Sequence, residues 1–339
     1  MKKFLFIGID FSKIKFDVAV LDGIEQKSFS QETFENSETG YNLFLKWVSK
    51  QSKIKRDDWL FCGEHTGIYS RNLSNFLAKK GLFIWLENPL QIKRCSGVNR
   101  IKTDRYDSVL IAQYACRYID RAVAYKPAEK EIEDLQLLVA YRSRLVKSKV
   151  AIEVGASEMR NVIKRNQTAR LIYEKSMLEV NRIKKQIKEI EQKMHETIMN
   201  SSLKENYLLI TSIKGVGMQT ATMLIIHTNN FSGFQTARQI VSYCGSAPFP
   251  SESGTISKGN HISRLANKEL KVLLSQCAQS AIMHNREIAA YAQRKIAEGK
   301  PKRVVMNNIR SKLIQIIFAV VRSKIPYQEN YLNQLQLSA

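Results

Sequence analysis

The alternation of apolar and polar positions predicts that the chain begins as a β-sheet. Residues 4–10 and 15–21 are apolar and β-branched on either side of a polar turn, a pattern typical of a strand hairpin. Two further apolar runs, Trp59–Gly63 and Leu82–Leu86, predict a third and a fourth strand. The first four strands are therefore expected within the first 90 residues.

Helical spacing appears between and after these strands. Leu73, Phe76 and Leu77 recur at helical intervals before the stop signal Gly81. The segment from Asp104 to Tyr118 shows the same periodicity. Strands followed by strand–helix alternation predict an α/β domain over residues 1–125.

The pattern changes after Pro127. Between Glu131 and about Asn200 there is no proline, the only glycine is Gly155, and apolar residues keep a helical spacing. This predicts a long antiparallel helix pair or a coiled coil over residues 126–203, acting either as a plain helical linker or as an oligomerisation arm.

A third region, residues 204–325, is predicted to be mostly helical. It contains a loop-rich insert, Gly245–Gly259, that is dense in proline and glycine. A polar tail follows over residues 326–339. The predicted class is therefore α/β plus α.

The charge of the chain favours a polyanionic partner. There are 53 Lys and Arg residues against 31 Asp and Glu residues, which leaves a net charge of +22. Nucleic acid is the first candidate, an anionic membrane surface the second, and solubility alone the third.

The cysteines and apolar runs point to a cytoplasmic protein without a membrane span. Five cysteines stand at wide spacings with no Cys-x-x-Cys pair, which favours reduced thiols over disulfides or a zinc site. The apolar stretch at the N-terminus is too short for a signal peptide, and the later apolar runs are too short or too interrupted to cross a bilayer.

Four acids form the candidate chemistry. Asp10 and Glu64 each end a predicted strand, and Asp104 and Asp107 share one face at the start of a helix. Taken singly, a turn residue or a helix cap explains each of them. Taken together, they are hard oxygen ligands of the kind that hold Mg²⁺ or Mn²⁺ for phosphodiester cleavage. A basic chain with one acidic pocket suits a metal-dependent nuclease or recombinase.

Three segments resemble the DEDD domain of an insertion-sequence transposase family. They are Ile7-Gly8-Ile9-Asp10, Glu64-His65-Thr66-Gly67 and Lys102-Thr103-Asp104-Arg105-Tyr106-Asp107-Ser108. This family includes Piv-type DNA invertases and bridge-RNA-guided recombinases. The resemblance implies a RuvC-type, RNase H-like N-terminal domain in which Asp10, Glu64, Asp104 and Asp107 bind the metal.

A glycine turn marks the start of the third region. Ile213-Lys214-Gly215-Val216-Gly217 is typical of a helix–turn–helix hairpin whose backbone N–H groups and lysine could meet a phosphate. The alternative is a turn between two buried helices. Lys258 and Arg303 are further candidate nucleic-acid contacts, although a solvated helix face explains Arg303 nearly as well.

The loop around Ser251 and Ser253 carries the candidate nucleophile. A serine beside glycine could attack a phosphodiester and store its energy in a phosphoserine link. The order Tyr-x-Gly, Pro, Ser-Gly and Ile-Ser-Lys-Gly resembles the C-terminal transposase domain of the same family. That resemblance implies Ser253 as the nucleophile, with Ser251 as the alternative because the loop reads Ser-Glu-Ser.

The predicted function is a transposase or site-specific recombinase in which both domains contribute to one active site. The resemblance implies donor and target DNA, a noncoding bridge RNA and a homodimer or homotetramer, acting at the nucleoid of a bacterial cytoplasm. Two alternatives remain: a Holliday-junction endonuclease that uses water, and a nucleic-acid-binding protein without catalysis.

Overall fold

The computed structural model describes residues 4–22, 29–95, 104–253, 256–263 and 265–329. Within them, the side chains of Asp104, of residues 250–253 and of residues 256–261 lie outside the description. The chain divides into two units, Met1–Pro127 and Ala128–Ala339.

A mixed five-stranded sheet forms the centre of the first unit. Its strands are β1 (Leu5–Phe11), β2 (Lys15–Asp22), β3 (Phe29–Glu35), β4 (Trp59–Glu64) and β5 (Phe83–Glu87). They lie in the order β3-β2-β1-β4-β5. β1 is antiparallel to β2 and parallel to β4, and β4 is parallel to β5. The four predicted strands are confirmed as β1, β2, β4 and β5; β1 and β5 each lie one residue later than predicted.

Helices cover both faces of this sheet. They are α1 (Glu38–Gln51), α2 (Ile68–Lys79), α3 (Pro89–Cys95) and α4 (Asp104–Arg117). Leu5, Ile7 and Ile9 of β1 pack in one core with α1 and α2. Phe6 of β1 lies in the opposite core, with α3 and α4. The apolar alternation of β1 therefore separates two cores, as a pleated strand requires.

The sequence pattern did not predict β3, α1 or α3. β3 is an edge strand paired only with β2, and its positions are half-buried or exposed, so it lacks the apolar run of a central strand. α1 begins at its N-cap Ser37, whose side chain accepts a hydrogen bond from Gly40 N.

Two long helices begin the second unit, α5 (Lys130–Met159) and α6 (Gln167–Met199). Arg142 Nη2 lies 2.7 Å from Glu191 Oε1, and Lys184 Nζ lies 3.2 Å from Glu153 Oε1. Because an early position on α5 meets a late position on α6 and the converse, the two helices run antiparallel. A coiled-coil or oligomerisation role for them stays a prediction.

The rest of the second unit is a helical body with one β-hairpin. Its elements are α7 (Lys204–Thr211), α8 (Met218–Thr228), α9 (Ala237–Tyr243), β6 (Pro248–Ser253), β7 (Ile256–Ile262), α10 (Lys268–His284), α11 (Arg286–Ala297) and α12 (Lys302–Ser323). The loop-rich insert predicted at Gly245–Gly259 is therefore wrong in form. Most of it is the antiparallel pair β6–β7.

Helix α12 is a core helix of this body. Among the described residues it alone is long and apolar enough to cross a membrane, with a mean hydropathy of 1.4 over its most apolar window. The core helix of a soluble protein passes the same test. Its buried residues, from Val305 to Val321, pack with those of α7 to α11 in one hydrophobic cluster. None of the five cysteines, all of them described, forms a disulfide.

Gly8 should not tolerate a side chain. A Cβ atom there would lie 2.1 Å from Ser108 O and 2.4 Å from Ala112 N, both backbone atoms of α4. We expect Gly8→Ala to lower the free energy of unfolding by about 1–3 kcal/mol, because α4 must move away from β1. Urea denaturation followed by circular dichroism measures this loss.

The matched control is Gly155→Ala. Gly155 lies within α5, and a Cβ atom there would meet nothing within 4 Å. This change should stabilise the helix by up to about 1 kcal/mol, since alanine has the higher helix propensity. Equal effects of the two substitutions would contradict the steric argument.

Candidate active site

Asp10 and Glu64 end neighbouring strands at one edge of the sheet. Ile9 of β1 pairs with Gly63 of β4 in a parallel register, so the next residues on each strand are the two acids. Residues 6, 8 and 10 of β1 alternate away from the α1–α2 core and towards α4. This agrees with the prediction that Asp10 ends the row opposite Leu5, Ile7 and Ile9.

Helix α4 lies against this row because Gly8 has no side chain. The backbone of α4 at Ser108 and Ala112 occupies the space that a Cβ atom of Gly8 would need. The first turn of α4 contains both Asp104 and Asp107. Gly8 therefore sets how close the acids of α4 come to the acids at the ends of β1 and β4.

The pKa of Glu64 reflects the closeness of Asp107 on α4. Burial raises the pKa of the Glu64 carboxyl, and the negative charge of Asp107 raises it further. A half-buried carboxylate beside another acid is destabilised in its charged form. A divalent cation bound between them would relieve that repulsion.

The donor chemistry fits Mg²⁺, which prefers carboxylate oxygens. Among the residues that the structure describes, no group of three histidine, cysteine or acidic side chains is close enough to hold a metal ion. The side chain of Asp104 lies outside that part. The four acids as a ligand set therefore stay a prediction, and the structure contributes the approach of Glu64 and Asp107.

Two further acids lie at the same edge, and the sequence pattern did not single them out. Glu87 of β5 pairs in register with Glu64, and Tyr114 of α4 donates its hydroxyl to Glu87 Oε2 at 3.1 Å. Asp17 of β2 pairs with Asp10 and is 3% exposed. Thr33 donates to Asp17 Oδ1 at 2.5 Å. Glu87 ends a strand as Glu64 does, and that signal could have identified it.

Ser251 and Ser253 both lie on β6 rather than in a loop. Ser253 pairs with Ile256 of β7, and the register shifts between Pro250 and Glu252. Because the two serine side chains lie outside the description, the choice between them stays open.

The root of this serine hairpin is held by a polar cluster. Tyr243 ends α9 just before the hairpin, and Asn267 is the N-cap of α10 just after it. Asn267 N donates to Tyr243 O at 2.8 Å, and Asn267 Nδ2 donates to Tyr243 Oη at 3.2 Å. His227 Nδ1 lies 3.2 Å from Tyr243 Oη, and burial lowers the pKa of His227. The cluster therefore ties both ends of the serine segment to His227.

The glycine turn at residues 213–217 has the features of a packed turn between helices, the second interpretation of its sequence. Gly215 has a φ of +97°, and a Cβ atom there would lie 2.7 Å from Ala281 Cα of α10. Lys214 Nζ forms an ion pair with Glu329 Oε1 at 3.1 Å. Gly217, the N-cap of α8, has open space around it. The turn is packed against α10, and a phosphate contact there stays a prediction.

The other two candidate contacts also stay predictions. Arg303 lies exposed in the first turn of α12. Lys258 lies on β7, and its side chain lies outside the description.

Asn267 provides a test of the hairpin root. Its Oδ1 accepts a hydrogen bond from Leu270 N, so Asn267→Ala removes both the helix cap and the bond to Tyr243. We expect a loss of about 1 kcal/mol in the free energy of unfolding from the cap alone. Asn267→Asp keeps the cap acceptor and should recover most of that stability. Both variants should speed amide hydrogen exchange in β6 and β7; unchanged exchange in both would contradict the proposed closure.

Known protein families match both the region that contains the acids and the region that contains the serine hairpin. Residues 7–155 match a DEDD-type family model of IS110 described as a transposase. Residues 207–293 match a model described as the transposase of the IS116/IS110/IS902 family. The two matches contain the strand and helix acids and the serine hairpin, respectively.

Individual relatives agree with these matches. The chain is 27% identical to the pilin gene-inverting protein of Moraxella lacunata over 336 residues, 96% of the chain and 98% of that protein. It is 26% identical over 207 residues to the transposase for insertion sequence element IS1111A of Coxiella burnetii, covering 54% of the chain and 56% of that protein. A protein of insertion element IS110 from Streptomyces coelicolor is 29% identical over 131 residues, 39% of the chain and 32% of that protein. The chain belongs to the IS110 family of insertion-sequence transposases.

Proposed function

We propose that this transposase cuts and rejoins DNA strands with a Mg²⁺-binding acidic site and a serine nucleophile. The observation that carries the proposal is the approach of strand and helix acids across Gly8, with the pKa of Glu64 raised by burial and by Asp107. The family matches over both regions support the same reading.

The acidic residues have the metal-binding role in this proposal. Asp10, Glu64, Asp104 and Asp107 would hold Mg²⁺, which would stabilise negative charge developing on the phosphodiester oxygens. Asp17 and Glu87 are held by hydrogen bonds from Thr33 and Tyr114, so they position the strand ends rather than contact the reacting atoms.

Ser253 supplies the nucleophile. Its Oγ forms a bond to phosphorus, its proton passes to a base, and the bond from phosphorus to the leaving deoxyribose oxygen breaks. That oxygen takes up a proton and becomes a free hydroxyl. Attack of a partner strand's hydroxyl on the phosphoserine then restores the serine and joins the strands, without ATP, because the number of phosphodiester bonds is conserved.

The partners follow from charge and family. A net charge of +22 supports binding of donor and target DNA and of a noncoding bridge RNA. Strand exchange between two DNA duplexes requires more than one active site, which supports a homo-oligomer, a dimer or a tetramer. The expected place of action is the bacterial cytoplasm.

Removing a metal-binding carboxylate should abolish recombination. We expect Asp10→Ala or Asp104→Ala to reduce strand exchange by about 1,000-fold or more, since the bound metal would lower the activation barrier by several kcal/mol. DNA affinity should stay near wild type, because these acids do not attract phosphate. A recombination assay alongside a DNA-binding titration measures both, with the exposed Asp120→Asn as the control. Full activity in either alanine variant would refute the metal-site assignment.

The two serines are separated by trapping the covalent intermediate. Ser253→Ala should eliminate a protein–DNA adduct detected by denaturing electrophoresis, and Ser251→Ala should retain it. An adduct that persists in Ser253→Ala and disappears in Ser251→Ala would assign the nucleophile to Ser251. Full-rate DNA cleavage by both variants without any adduct would instead support a hydrolytic junction endonuclease.

A further inference from the structure

Arg310 of α12 is a half-buried cation without a carboxylate partner in the part of the chain that the structure describes. Its Nη1 donates to Ser275 Oγ at 2.9 Å and its Nη2 donates to Asn307 Oδ1 at 2.7 Å. Its Nε is buried and has no hydrogen-bond partner among the described residues. A guanidinium held only by neutral groups keeps an uncompensated charge, which an anion would neutralise.

The partners of Arg310 lead directly to the root of the serine hairpin. Asn307 Nδ2 donates to Ser246 O at 2.9 Å, and Ser311 Oγ donates to the same oxygen at 3.2 Å. Ser246 is fully buried and lies two residues before β6. Helix α12 therefore holds the backbone from which the serine strand emerges.

Lys271 of α10 lies at the same root. Its Cδ atom lies 3.5 Å from the position that a Cβ atom of Gly245 would take. Lys271 lies one helical turn before Ser275. The Oγ atom of Ser275 donates a hydrogen bond to Lys271 O and accepts one from Arg310 Nη1. No ion pair involves Lys271 among the described residues. Within the described residues, two cations without acidic partners thus lie near Gly245 and Ser246.

We propose that Arg310 and Lys271 bind the phosphodiester backbone of the DNA strand that is presented to the serine hairpin. This inference rests on the proposed function and adds a binding site to it. A planar guanidinium matches two phosphate oxygens, and a neighbouring ammonium adds a second point of charge. Arg310, fixed by neutral side chains, would hold the phosphate at a set position, whereas a mobile surface lysine contributes affinity without position.

The test measures the salt dependence of DNA binding for the full-length protein. The probe is a fluorescently labelled DNA duplex of mixed sequence, titrated at several salt concentrations. Each phosphate contact contributes about 0.9 to the slope of log Kobs against log salt, so Arg310→Gln and Lys271→Gln should each reduce the slope by about 0.9, and the double variant by about 1.8. Arg310→Lys should keep the slope because it keeps the charge.

Arg294→Gln is the matched control. Arg294 is exposed on α11, and its Nε lies 3.8 Å from Glu298 Oε1. The salt dependence of DNA binding by Arg294→Gln should therefore have the same slope as that of the wild type. Lys271→Gln tests the site independently if Arg310→Gln unfolds, which thermal melting reports. Folded variants with wild-type slopes overturn this inference while leaving the proposed function intact. A reduced slope on a mixed-sequence RNA hairpin and an unchanged slope on DNA would also overturn it and assign the site to RNA. A wild-type protein that binds no DNA would instead refute the proposed function.

Discussion

The close packing of α4 on β1 at Gly8 is the constraint on which the acidic site depends. Because no Cβ atom separates them, the helix backbone approaches the strand at Ser108 and Ala112. The same packing brings Asp107 into the electrostatic environment of Glu64. The packing of α4 brings two carboxylates together, and the apolar core beneath α4 offsets their repulsion. A site of this kind is stable only because core packing holds the charges together.

Much of this unit could be predicted from periodicity, and the rest could not for a specific reason. Alternation along β1 separates Asp10 from the apolar row, and that needs no knowledge of neighbours. The edge row of Asp17, Asp10, Glu64 and Glu87 depends on which strands pair and in what register. Register is set by the whole sheet, so the sequence alone marks Glu87 as an acid at a strand end but does not place it beside Glu64.

In the second unit, the sequence composition predicted a loop where the structure has a β-hairpin. Pro248, Pro250, Gly254 and Gly259 favour a loop, yet most of the segment forms β6 and β7. Both strands of a two-stranded hairpin are edges, where proline is tolerated because its missing N–H group can face away from the partner. Composition therefore identified the segment but not its form. His227 is half-buried and lies within hydrogen-bonding distance of Tyr243.

The chain's charge excess and its half-buried cations answer different physical needs. An excess of Lys and Arg over the whole surface raises DNA affinity without choosing a register, and salt screens it readily. Arg310 differs because Ser275 and Asn307 hold its guanidinium, and both helices α10 and α12 hold those residues. Since Asn307 also holds Ser246 O, a phosphate bound by Arg310 would be fixed relative to the hairpin root. A nucleophile on that hairpin gains from such a fixed phosphate, because attack requires the reacting atoms to be aligned before the bond forms.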